Sequence, residues 1–244
     1  MSEKITLSGV PETMLQTVYA RAKETKTRGA INDGKSVELV EKLDYDFTLA
    51  DKDTAMSSGV IARTIVLDRL VKEYLAAHPG AVVVNIACGL DTRCYRMRGY
   101  AHWYNLDLPE TIAVREKLLP ESGSISQIAM SAMDDWGGRI EERGDHALVI
   151  IEGLTMYLSE ADVRQIFSVI AGRFRGAKVF VETMNPMVVK RFKEKSIEGS
   201  KAKFTWGVKN GRALAALLPG FRYAGEHGLT EGMAVFVPVY KLLD

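Results

Sequence analysis

The run Val82-Val83-Val84-Asn85-Ile86-Ala87-Cys88-Gly89-Leu90-Asp91-Thr92-Arg93 is an apolar strand pattern that empties into a tight turn of small residues. Small side chains at Ala87 and Gly89 let a bound nucleoside approach the backbone closely. The next apolar segment, Tyr104-Asn105-Leu106-Asp107, ends in an acid 18 residues beyond Gly89. A carboxylate placed there accepts hydrogen bonds from both hydroxyls of a ribose. The spacing alone admits either a nicotinamide dinucleotide or S-adenosylmethionine. A dinucleotide turn, however, uses three glycines to cradle a pyrophosphate. Here Ala87 and Asp91 fill two of those places, and the Asp91 carboxylate would repel phosphates. The residues favour a cofactor without phosphates.

Other reactive residue types are sparse. Cys88 and Cys94 are the two cysteines, too few for a disulfide framework, and no His/Cys cluster has zinc spacing. Cys88 has no histidine near it in sequence and reads as a packed loop residue. Arg93 reads as a substrate contact or as the buried partner of Asp91 or Asp107. Of the four histidines, His102 and His146 fall at the amino ends of expected strands and His78 ends a helix. His227, at the tip of an expected sixth strand, is the candidate to reach a substrate; the alternative is a loop histidine without a role.

These residues need elements to hold them. Pro11 opens a helix with the apolar stripe Met14, Leu15, Val18, Tyr19 and Ala22, and Gly29 ends it. A short helix is expected from Ser36 to Leu43, and a third after Ser57-Ser58, stopped by His78-Pro79-Gly80. From Ala81, short apolar runs alternate with helical stretches, the signature of a parallel sheet covered on both faces. Strands are expected at Val82–Ile86, His102–Leu106, Ser126–Met130, Ala147–Ile151 and Lys178–Glu182. Two more, Phe221–Glu226 and Met233–Tyr240, are joined by Gly228-Leu229-Thr230-Glu231-Gly232 as a hairpin, with Pro238 out of place in a central strand. Five alternating units closed by an antiparallel pair describe the seven-stranded α/β sheet of class I methyltransferases. The expected organisation is one domain. Residues 1–56 form a helical cap, 57–184 the cofactor-binding core, 185–218 an insertion and 219–244 the hairpin. Residues 190–212 of the insertion hold eight Lys or Arg and two Glu, with Phe192, Phe204 and Trp206 interleaved. That stretch reads as a basic, aromatic cap over a substrate cleft, or as a solvated helical face and a connection.

Composition narrows the class. The chain has 244 residues, 47% hydrophobic and 26% charged, the balance of a globular domain. A formal net charge of +1 offers no whole-protein field for nucleic acid or an anionic membrane. The start, Met1-Ser2-Glu3-Lys4-Ile5-Thr6, lacks an apolar signal core, and no apolar stretch approaches the about 20 residues that span a bilayer. The expectation is a reduced, cytoplasmic, metal-independent protein.

Three ordered motifs carry a resemblance. Ala87-Cys88-Gly89-Leu90-Asp91-Thr92-Arg93, Trp103-Tyr104-Asn105-Leu106-Asp107-Leu108-Pro109 and Glu152-Gly153-Leu154-Thr155-Met156-Tyr157-Leu158 are similar to the leucine carboxyl methyltransferase family, which includes bacterial O-methyltransferases that tailor polyketides. Pro11-Glu12-Thr13-Met14-Leu15, Asp44-Tyr45-Asp46-Phe47 and Phe204-Thr205-Trp206-Gly207 resemble its other landmarks. The resemblance implies S-adenosylmethionine and methyl transfer to oxygen, often of a carboxylate. It implies that Arg63, helped by Arg21, pairs with the methionine carboxylate, that Gly89 lies under the cofactor and that Asp107 holds the ribose. Glu152 would face the methionine part. Ser131-Ala132 stand where the family has an acid-leucine pair near the adenine, and Ala87 stands for its usual glycine. Tyr157 and Trp206 are the candidate substrate residues. No residue is assigned as catalytic beyond the candidate His227. A carboxylate, with a pKa of about 4, is already ionised at neutral pH, whereas a phenol near 10 needs a base. The base-poor chain therefore points to a small-molecule carboxylate acceptor. The alternatives are a hydroxyl acceptor, a protein carboxyl terminus, a cofactor-binding protein without catalysis, and a nicotinamide oxidoreductase.

Overall fold

The computed structural model of the chain describes residues 12–141, 146–191 and 203–242. Pro11, Phe192 and the opening Met1–Thr6 lie outside them. Four helices precede the sheet: α1 (Glu12–Lys26), α2 (Gly34–Lys42), α3 (Thr48–Lys52) and α4 (Thr54–Ala77). Free amides at helix starts need acceptors. Asp33 supplies one by accepting from Ser36 N–H, and Asp53 accepts from Met56 N–H at 2.9 Å. α4 therefore begins at Thr54, ahead of the Ser57-Ser58 pair, because Asp53 is its cap.

Five strands follow: β1 (Ala81–Ile86), β2 (Tyr100–Asp107), β3 (Ile125–Ala129), β4 (Ala147–Ile151) and β5 (Lys178–Val181). They pair in parallel in the order β3-β2-β1-β4-β5. β1 and β4 are buried throughout, which is why they read as unbroken apolar runs. Val84, Ile86, Val149 and Ile151 pack with Val163, Ile166, Phe167 and Ile170 of α7 (Glu160–Arg173). The alternate residues Val83, Leu148 and Ile150 pack with Val71 and Leu75 of α4. The helices α5 (Arg93–Arg96) and α6 (Pro109–Leu118) connect the strands on the β2 side. Strand order reverses between β1 and β4, and an open sheet takes ligands outside the carboxyl ends of its strands at such a point.

Among the described residues the sheet has five strands, not seven, and no antiparallel hairpin closes it. After β5 come α8 (Pro186–Arg191), α9 (Gly211–Leu217) and α10 (Leu229–Phe236), then a 3-10 turn at Pro238–Leu242. Phe221–Glu226 is irregular. The run from Met233 is continuously apolar and fits a buried strand or a helix equally, so periodicity does not separate them. Two contacts decide for helix. Glu231 Oε1 accepts from Gly228 N–H at 3.1 Å and opens the helix. Gly232 lies so close to α4 that a Cβ there would run into the Ala62 carbonyl. Pro238, lacking an N–H, suits a chain leaving a helix better than a ladder. Among the described residues no helix is long and apolar enough to cross a membrane.

Candidate functional site

Strand register assembles the site. Ile86 lies opposite Leu106 of β2 and Ile151 of β4, and Val181 of β5 lies opposite Ile151. The residues one step further along each strand, Ala87, Asp107, Glu152 and Glu182, consequently stand in one row at the carboxyl edge. Met130 N–H donates to the Asp107 carbonyl at 3.0 Å, bringing Ser131 and Ala132 to the β2 end of that row.

The turn after β1 is held from several sides. Gly89 has φ +47°, and its N–H donates to Asp107 Oδ2 at 2.8 Å. Leu108 N–H donates to Oδ1 of the same carboxylate at 2.7 Å. Burial raises the Asp107 carboxyl above the ordinary aspartate value, and these amide bonds offset part of the rise. Ala87 takes φ +53°, the left-handed region that glycine fills more easily. Met14 of α1 roofs the turn: a Cβ on Gly89 would meet its Sδ at 3.1 Å. Arg21, also of α1, is buried and donates to Asp33 at 2.9 Å, to Ser36 at 3.3 Å and to the Leu90 carbonyl at 3.1 Å. Its Nε and Nη2 donors brace the turn and the cap helices.

A charged cluster occupies the other half of the row. Arg63 Nε lies 2.9 Å from Glu152 Oε1, and its Nη1 is 3.5 Å from Glu182 Oε2. Arg93, 1% exposed, reaches Glu152 Oε2 at 2.9 Å while also binding Asp68 and Asp91. Arg93 is thus a buried partner of acids. Burial would raise the Asp91 carboxyl, yet Arg93 and Arg96 beside it hold it below the usual range. Glu182 Oε2 also accepts from Gly153 N–H at 2.7 Å. Arg63, Glu152 and Glu182 keep side-chain exposures of 23%, 16% and 22%, so the cluster is open to a ligand. A cation flanked by two carboxylates matches both charges of an amino-acid zwitterion. Sequence reasoning missed Glu182; the signal available was its place at the end of the Lys178–Glu182 run, matching that of Glu152 after β4.

The remaining candidates divide. The segment after the described gap runs beside the turn that follows β4: Thr205 and Trp206 N–H groups both donate to the Met156 carbonyl. Tyr157 meets Phe204 at a tilt, ring centroids 5.3 Å apart, and Trp206 packs on the core. Ser131 Oγ accepts from Met133 N–H at 3.3 Å and the Ala132 carbonyl accepts from Trp136 Nε1 at 3.1 Å. His227 is not at a strand tip. It precedes α10, exposed, with Nδ1 3.1 Å from Glu231 and close to Arg69 of α4. Burial pushes the Cys88 thiol well above its usual value, which keeps it a thiol and unsuited to nucleophilic attack. Among the described residues no three His, Cys, Asp or Glu side chains converge as metal ligands would.

Known proteins share this organisation. The sequence model of the family described as leucine carboxyl methyltransferase matches residues 14–171. The tetracenomycin polyketide synthesis O-methyltransferase TcmP of Streptomyces glaucescens is 35% identical over 237 residues, covering 95% of this chain and 87% of that protein. The S-adenosyl-L-methionine-dependent methyltransferase dpfgK of Gibberella zeae is 29% identical over 245 residues, covering 90% of this chain and 82% of its own. A crystal structure from Thermobifida fusca, of a chain assigned as a methyltransferase, has the same fold, with a TM-score of 0.54 at 13% identity over 83% of this chain and 79% of that one.

Proposed function

The chain belongs to the leucine carboxyl methyltransferase family and is an S-adenosylmethionine-dependent methyltransferase, and we propose that it methylates a carboxylate oxygen of a small molecule. One observation carries the acceptor reading: the row of strand ends holds Asp107, Glu152 and Glu182 around the Ala87–Gly89 turn, and none of the four histidines. The naming of TcmP as an O-methyltransferase supports oxygen as the acceptor atom.

The donor set suits the cofactor. Asp107 accepts from the ribose hydroxyls, its carboxylate kept in place by the Gly89 and Leu108 amides. Arg63 takes the methionine carboxylate, and Glu152 with Glu182 takes the ammonium. Ala87 and Gly89 lie beneath, with Ser131 and Ala132 beside the adenine, where the serine hydroxyl replaces an acid as acceptor. Bound there, S-adenosylmethionine supplies a methyl group already activated by its sulfonium. The chain's own task is to hold the acceptor oxygen in line with that methyl and to exclude water. Tyr157 and Trp206 line the acceptor side, with helices α1–α3 as the cap. An ionised carboxylate needs no proton removed, so the absence of histidine from the row costs nothing.

The test is methyl-labelled cofactor offered with a panel of small carboxylic acids and phenols. The expected product is an ester that alkali hydrolyses to labelled methanol. Label found only in alkali-stable ethers would overturn the carboxylate acceptor.

A further inference from the structure

We propose that Arg115 and Glu121, a fully buried ion pair, are positioning residues that hold the cofactor turn through the carbonyl of Gly89; this rests on the turn and Asp107 being the cofactor site. α6 starts directly after Asp107, and Arg115 lies within it. Its Nη1 donates to the Gly89 carbonyl at 2.9 Å. The rest of the guanidinium is clamped by Glu121, Nε to Oε2 at 3.2 Å and Nη2 to Oε1. Glu121 is in turn tied to the sheet, accepting from Asn105 of β2 at 3.1 Å and from Gln127 of β3 at 2.8 Å. Both partners of the ion pair have 0% exposed side chains.

Stability does not account for such a pair. Two fully desolvated charges gain little over apolar side chains of the same volume. What the pair does locally is grip Gly89. Gly89 is held at two points, its N–H by Asp107 and its carbonyl by Arg115. In the proposed reaction Asp107 must also accept from the ribose, so its hold on the Gly89 amide is shared with the cofactor. Arg115 is not among the side chains proposed to meet the cofactor, so its bond to Gly89 is not shared with it. It keeps the left-handed turn in shape while Asp107 divides its hydrogen bonds.

The experiment compares S-adenosylhomocysteine affinity, melting and steady-state kinetics for the wild type, Arg115→Met combined with Glu121→Leu, and Arg115→Lys. The double variant, apolar at both places, is expected to melt cooperatively but to bind S-adenosylhomocysteine at least tenfold more weakly. The KM for S-adenosylmethionine should rise by a similar factor while the acceptor KM changes less than twofold. Arg115→Lys, which retains one donor and the charge, should recover most of the loss. A folded double variant with wild-type affinity overturns the proposal. If that variant does not fold, Glu121→Gln, measured at a temperature where it is fully folded, decides: weaker S-adenosylhomocysteine binding with an unchanged acceptor KM supports the positioning role, and unchanged S-adenosylhomocysteine binding overturns it. Wild-type protein whose S-adenosylhomocysteine affinity is insensitive to Asp107→Ala would instead overturn the placement of the cofactor at this turn.

Discussion

Asp107 does two things with one carboxylate: it fixes the Gly89 turn and offers acceptors to a ligand. Its place was readable from spacing, because an acid ending the second strand lies beside the turn ending the first in any parallel pair. Asp107→Ala should therefore weaken S-adenosylhomocysteine binding at least tenfold by calorimetry, since hydrogen bonds to a charged group contribute about 1.5–3 kcal/mol. An unchanged affinity would remove Asp107 from the site. Ala87 shows the limit of the same reading. Its type predicts a tolerable extra methyl, but only the backbone reveals that it sits at φ +53°, where a side chain costs about 1–2 kcal/mol. Glu182 and Arg21 show it more strongly, since each takes its role from a partner distant in sequence, Arg63 for the one and the Leu90 carbonyl for the other.

The tail turned on how one segment packs. Met233–Phe236 is apolar at every position, and such a run does not reveal whether it alternates across a sheet or wraps round a helix. Gly232 settles the matter by seating α10 on α4 at Ala62, and the Arg69–Glu231 ion pair, at 2.6 Å, flanks that contact. Gly232→Val should force the two helices apart and cost on the order of 2 kcal/mol, as overpacked contacts do. Urea unfolding reads the loss; a variant as stable as the parent would mean that α10 does not rest on α4. The starts of α2 and α4 were likewise settled by contacts: Asp33 and Asp53 cap them, and Asp53 opens α4 ahead of the Ser57-Ser58 pair that the sequence suggested.

The cap and the sheet form one electrostatic unit. Asp33, ahead of α2, is bound by Arg21 of α1, by Arg96 of α5 and by the Ser36 and Thr92 hydroxyls. Asp68 of α4 is bound by Arg93 and Arg96. Burial would raise both carboxyls, but the arginines outweigh it and hold them below the ordinary aspartate value of 3.8. Groups depressed in the folded state contribute stability that is present above their unfolded value and lost as pH falls toward the folded one. Stability measured by urea midpoints should accordingly hold near neutrality and decline only below about pH 5. A steep loss already between pH 7 and 6 would contradict this assignment of the network.

Composition and pattern alone were enough for the five parallel strands and the turn with its acid. A strand buried on both faces announces itself at every residue, and parallel neighbours place their ends side by side. Glu152, one step past β4, was named only through the resemblance of Glu152–Leu158 to the family motif. The three-dimensional arrangement alone decided the rest: that Glu182 joins Arg63, that Tyr157 meets Phe204, that Arg115 holds Gly89, and that the tail is helical. Each depends on which distant group a side chain meets. Local patterns specify backbone shape and burial, whereas partners across the molecule are chosen by register and packing that no short stretch of chain contains.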